Sequence, residues 1–161
     1  MAWDRDLDVL YLIRTLRLRE QTPIQHSQAV RHWNLTWAWP HDGNRQEFAG
    51  AGVPLAQQYK DAGLDTMFQH AQFEDGTLSV EAGLMEMADR MRGDRWKVFK
   101  GQNDSWLEEY RLYHRDVDGR VVKENDDAIS ASRYAMMMRR HGRRGGWDFF
   151  KPIAYPQIGL V

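Results

Sequence analysis

The stretch at 124–140, ENDDAISASRYAMMMRR, leaves the chain the least freedom. Asp126 and Asp127 precede a run in which Ala128, Ala131, Ala135 and Met138 recur at helical spacing, with Ile129, Met136 and Met137 beside them. This pattern predicts a buried helix entered through acids, because the unpaired backbone N–H groups at a helix start carry partial positive charge. Either Asn125 or Asp126 suffices as the N-cap, which leaves Asp127 in the first turn to face a cleft. Two uses of Asp127 stay open, a share in the cap and a functional carboxylate.

The chain has 161 residues, enough for one domain with a real core. Lys and Arg number 22 against 23 Asp and Glu, so there is no global basic field and any nucleic-acid contact needs a local patch. Without cysteine there is no disulfide and no thiolate chemistry, and a metal would take oxygen or imidazole ligands. No apolar run is as long as a membrane span, and Asp4, Arg5, Asp6 and Asp8 stand where a signal peptide would place its core. The expectation is a soluble intracellular protein with no membrane partner. The phosphate loop G-x-x-x-x-G-K-[ST] is absent, as are H-E-x-x-H and G-x-S-x-G, which argues against a nucleotide motor, a zincin and an α/β-hydrolase.

Residues 8–18 (DVLYLIRTLRL) alternate and predict a strand with Val9, Tyr11 and Ile13 on one face and Leu10, Leu12 and Arg14 on the other, with no room before it for a hairpin partner. Thr22 and Pro23 open a helix reaching Trp33, with Ile24, Ala29, Val30 and Trp33 as its stripe. A strand follows at 34–39, then a loop at 40–44. The glycines at 50 and 52 mark a joint, 54–62 a short helix ended by Gly63, and 64–68 a short strand. Residues 79–92 predict a helix with half a capping box at Ser79; 95–99 a strand; 104–110 a helix; and 111–122 a β-hairpin about Val117, Asp118 and Gly119. The last helix runs to about Gly142.

Asp42 lies just beyond the 34–39 strand, where open α/β sheets place ligand chemistry, and His41 beside it adds a possible base or ligand. Asp-Gly and Gly-Asn are also ordinary turn pairs, so turn and site both remain open. After residue 141 the chain is basic and glycine-rich with aromatics of no period, and 142–161 reads as an extended arm.

Taken in order, WAWPHDG at 37–43, SVEAGL at 79–84, RWKVF at 95–99, LEEYR at 107–111 and DDAISASRYA at 126–135 resemble the C-terminal nuclease domain of the large terminase subunit of tailed bacteriophages. The resemblance covers nearly everything up to Arg140. It implies an α/β, RNase H-like mixed β-sheet flanked by helices, with residues 1–141 as a partial, N-terminally truncated terminase-type nuclease domain. It further implies a Mg²⁺- or Mn²⁺-dependent endonuclease that cuts concatemeric viral DNA during packaging, in the cytoplasm of a bacterial host.

By that resemblance Asp42 matches the acid at the end of the family's fourth strand, and Asp127 or Asp126 the acid at its last helix. These are the implied catalytic and metal-binding residues, with His41 near the scissile phosphate. Ser130 stands where many members carry a further Asp. Arg139, Arg140, Arg143 and Arg144 either contact DNA phosphates or form a solvated face and tail. The family's first metal-binding Asp sits on a strand that would precede this chain, and Asp4, Asp6 and Asp8 belong to a different one. A cluster short of one carboxylate holds a second metal weakly. Two expectations follow from the resemblance: a weakened or inactive nuclease of phage or prophage origin, and a non-catalytic remnant that binds DNA or a packaging partner such as the portal or small subunit. In either case two open sheet edges call for cover by a swapped strand, a second copy or the arm.

Overall fold

The computed structural model describes residues 1–46, 52–122 and 124–142. Strand β1 (Ala2–Asp4) pairs antiparallel with β2 (Val9–Leu12), with Trp3 opposite Leu10. The hairpin partner judged to have no room is therefore present. It turns on Asp4, whose Oδ1 accepts from the Asp6 and Leu7 amides, and on Asp8, whose φ of +50° lies in the left-handed region that Asp tolerates. The strand predicted over 8–18 keeps a ladder only at its first half. Leu10 and Leu12 are buried while Ile13 and Arg14 are exposed.

Thr22 and Gln25 form a reciprocal capping box that starts α1 (Pro23–Val30), followed by a 3-10 turn at Arg31–Trp33. Ser27 and Val30 are its buried residues, whereas Ile24 faces solvent. Strand β3 (Thr36–Trp37) runs into a 3-10 turn at His41–Asn44, and α2 (Leu55–Asp61) leads through Gly63, at φ +89°, into β4 (Asp65–Thr66). β3 and β4 are parallel, Thr36 opposite Asp65, and the pairing continues as Met67 N–H donates to the Trp37 carbonyl and the Trp39 indole to the Met67 carbonyl. The glycine joint at 50–52 lies mostly outside the described residues.

Helix α3 (Val80–Arg92) starts at Ser79, whose hydroxyl accepts from the Ala82 amide, and β5 (Trp96–Val98) then pairs parallel with β2, Leu10 opposite Trp96. The mixed sheet thus has the order β1-β2-β5, and β3-β4 is a separate ladder. Helix α4 (Asp104–Leu112) begins at Asn103, which is fully buried and donates from Nδ2 to the Leu12, Ile13 and Phe99 carbonyls. That one amide ties the carboxyl ends of β2 and β5 together, adding a second donor to the Leu12 carbonyl, which also accepts from Phe99 N–H, and satisfying the Ile13 and Phe99 carbonyls beyond the ladder. The predicted hairpin before the last helix is short, a single bridge from Arg115 to Val121 closed over Gly119.

Helix α5 (Asp127–Met137) continues into a 3-10 turn at Arg139–His141. Its buried face is Ala128, Ile129, Ser132, Arg133, Met136 and Met137, so the alanine stripe is offset from the one read in the sequence and Ala131 is exposed. The core joins Leu10 and Leu12 of β2, Trp96 of β5, Met87 of α3, Trp106 of α4, and Ala128, Ile129 and Met136 of α5. Trp96, Trp106 and Tyr110 stack in a column, with centroids 6.2 and 5.2 Å apart. Gly83 lets α3 approach α5: a Cβ there would lie 2.6 Å from Arg133 Cδ.

Candidate active site

The acids singled out by sequence sit at two places. Asp42 is exposed in the 3-10 turn that follows β3, and His41 beside it is exposed as well. The turn is compact because Gly43 is buried against Trp39 and Ala56: a Cβ at Gly43 would meet Trp39 Cε3 at 2.9 Å. Gly43 N–H donates to the Pro40 carbonyl and Arg45 N–H to that of Asp42, so backbone bonds hold the turn and, among the described residues, no hydrogen bond or ion pair takes up the Asp42 carboxylate.

At the other place, Asp126 is the N-cap of α5 but makes no capping bond with its side chain. Its carboxylate accepts instead from the Ser130 hydroxyl at 3.2 Å. The capping is done from a different helix. Glu109 of α4, 1% exposed, accepts at Oε2 from the Ala128 amide at 2.7 Å and the Ile129 amide at 3.1 Å. Burial pushes the Glu109 carboxyl up, and those two amides with the Arg17 guanidinium offset only part of the rise.

Arg17 joins the two acids of this end. Its Nη1 lies 3.3 Å from Glu109 Oε1 and its Nη2 3.0 Å from Asp127 Oδ2. Asp127, 72% exposed in its side chain, is open to solvent as the sequence suggested, yet it is ion-paired rather than free. Neither Glu109 nor Arg17 was picked out as a site residue. Glu109 was legible by spacing, since 106, 109 and 110 fall on one helical face with Trp106. Arg17 was not, because its partners lie about ninety or more positions downstream.

The remaining candidates are engaged within the fold. Arg139 donates to the Met136 carbonyl, pairs with Glu86 and lies over the Trp3 ring, and Arg140 donates to the Met137, Gln72 and Phe73 carbonyls. Both guanidinium groups thus fasten the end of α5 to its neighbours. Arg143 and Arg144, with the rest of the arm, lie outside the described residues. Asp8 is held by the Trp3 indole, Arg90 and Arg95. Among the described residues no three His, Asp or Glu side chains come together to hold a metal ion.

A mixed sheet with flanking helices and an acid just past a parallel strand is the architecture of RNase H-like domains, and the solved nuclease domain of the phage P22 large terminase superposes on it with a TM-score of 0.79. That match has 47% sequence identity and covers 88% of this chain and 73% of the other. The family model described as "Terminase RNaseH-like domain" matches residues 1–139, and the chain belongs to that family. It is also 47% identical over 143 residues to the terminase large subunit of Salmonella phage P22, and 47% identical over 139 residues to that of Enterobacteria phage LP7. These alignments cover 88% and 85% of this chain but only 28% and 29% of the relatives, so the chain spans less than a third of their length.

Proposed function

We propose that this chain is the domain with which a phage or prophage DNA-packaging terminase cuts concatemeric double-stranded DNA in its bacterial host. Asp42 and Asp127, with Asp126 beside the latter, are the carboxylates assigned to a divalent cation, Mg²⁺ or Mn²⁺, and His41 is placed near the scissile phosphate. What supports this most is Asp42 itself, an exposed acid on the turn that follows a parallel strand, with no partner for its carboxylate among the described residues, in a chain of this family.

The described acids do not make a complete cation site by themselves, so further oxygen donors have to come from outside them. β1 and β3 each have one ladder partner among the described residues. An added extended segment, from a second copy or from further polypeptide, has backbone to pair with there. A second reading draws on the Arg17–Asp127 pair, which already neutralises one of the assigned acids. In that reading the domain binds DNA, the portal or the small subunit and cuts nothing.

Plasmid nicking in Mg²⁺ and then Mn²⁺, with Asp42→Ala and Asp127→Ala alongside, separates the two. Metal-dependent nicking that disappears in both variants is the expected result. Wild-type protein that retards the plasmid on a gel but leaves it no more nicked than the variants do would overturn the nuclease reading in favour of the binding module.

A further inference from the structure

We propose that residues 14–19 form a track for the phosphate backbone of duplex DNA, with Arg14 and Arg19 as the contacts and Arg17 as the pin that holds the track. The proposal takes its ligand from the DNA-acting role above and adds where the duplex lies.

The segment leaves the carboxyl end of β2 without joining a ladder, yet it is fastened along its length. Thr15 N–H donates to the Gln102 carbonyl, Asn103 Nδ2 to the Ile13 carbonyl, and Arg17 turns inward to Glu109 and Asp127. Arg17 is partly buried, whereas Arg14 and Arg19 are exposed. Arg90, Arg92, Arg95, Arg115 and Arg139 each pair with a carboxylate, whereas Arg14 and Arg19, like Arg5, Arg31, Arg45 and Arg111, have none among the described residues; Arg14 and Arg19 are the two set on this fastened segment. Arg14 donates through Nε to the Gln102 side chain at 2.9 Å and lies 5.3 Å from the Trp33 ring centroid, and its terminal nitrogens have no hydrogen-bond or ion-pair partner among the described residues. Among the described residues the partner of the Arg19 guanidinium is the neutral Asn125 Oδ1, at 3.3 Å.

Two uncompensated guanidinium forks held on a fixed segment suit phosphate oxygens, which they engage in pairs, and they carry no base code. Five residues of extended chain span at most about 17 Å, the axial rise of about five base pairs of duplex. The track ends at Asn125 and Asp127, the mouth of α5. A bare carboxylate there would repel the backbone, and the Arg17 pair offsets part of that repulsion.

The test is binding of a linear duplex in EDTA, where cleavage does not intervene, measured across a salt series. The wild type is compared with Arg14→Ala/Arg19→Ala, the Lys/Lys double variant, and Arg92→Ala as an exposed arginine elsewhere. Loss of two phosphate contacts lowers the slope of log K against log salt by about 2. The expected result is that loss in the Ala pair, with affinity down roughly tenfold or more near 0.1 M salt, a partial return with lysine, and no change in Arg92→Ala. Equal slopes for wild type and the Ala pair overturn the track and leave the nuclease reading standing, as does a wild type that binds no duplex but still nicks. A wild type that loses binding with the Ala pair yet never nicks upholds the track and removes the nuclease reading.

Discussion

Replacing Glu109 tests whether α5 is held by a cap donated from another helix. In Glu109→Ala the Ala128 and Ile129 amides lose their acceptor in a buried setting, and Arg17 keeps its exposed partners Asp127 and Asn125. Two hydrogen bonds to a charged acceptor are worth about 1.5–3 kcal/mol each, while deleting a carboxylate that is costly to bury returns part of that. The net loss is about 3 kcal/mol, against about 1 kcal/mol for an ordinary surface N-cap. For a domain of this length that is roughly 6–12 °C in melting temperature. Glu109→Gln keeps an acceptor oxygen for the amides and gives up only the charge on Arg17, so it costs about 1 kcal/mol. Urea unfolding followed by circular dichroism reads both, as shifts in midpoint at constant slope. If Asp126→Ala costs more than Glu109→Ala, the cap belongs to Asp126 and the assignment is wrong.

Asp8→Asn keeps an acceptor and suits the left-handed backbone at that position, so it isolates the charge. Burial raises the Asp8 carboxyl, but the Trp3 and Arg90 hydrogen bonds, the Arg90 charge and Arg95 outweigh it and hold the pKa below its ordinary 3.8. A depressed carboxyl contributes stability above the unfolded value and loses it as pH falls through the folded one. Discounted for its exposure, the variant is about 1 kcal/mol less stable at pH 7, and urea midpoints should converge with wild type in acid; a gap independent of pH would refute the charge role. Gly83→Ala pushes a methyl into Arg133 and should cost about 1–3 kcal/mol. In a double-mutant cycle with Arg133→Ala that loss should shrink, and strict additivity would show that α3 and α5 are not in tight contact there.

The parts of the fold governed by neighbours in sequence were legible. Ser79 and the spacing of Leu84, Met87 and Met91 placed α3 to within a residue, and Thr22 with Pro23 placed the start of α1. The β1–β2 hairpin was missed because its local devices, the Asp4 turn and the Trp3–Asp8 bond, leave no periodic pattern, and the rest of what steadies it, Arg90 and Arg95 on Asp8, arrives more than eighty positions later. The α5 stripe was misplaced because alanine fits either face of a helix. Only packing against α3 and α4 selects Ser132 and Arg133 over Ala131. At the candidate site, Asp42 after a strand and Asp127 in a first turn lie where the local pattern put them. Their surroundings do not, since Glu109 and Arg17 come from distant segments.

The elements from α1 to β4 pack chiefly on one another, and they are inserted between two strands that are themselves partners. Thr36 and Asp65 are 29 positions apart, whereas Leu10 and Trp96 are separated by 86. Closing the longer loop costs about 1 kcal/mol more in chain entropy. The insertion can therefore gather on nearby contacts while the hairpin waits with Leu10 and Leu12 unprotected. During synthesis that wait lasts until residues 80–98 have emerged. Over that interval the nascent chain carries a sticky, half-finished sheet, and a slowed ribosome or a weakened β5 would lengthen its exposure to aggregation.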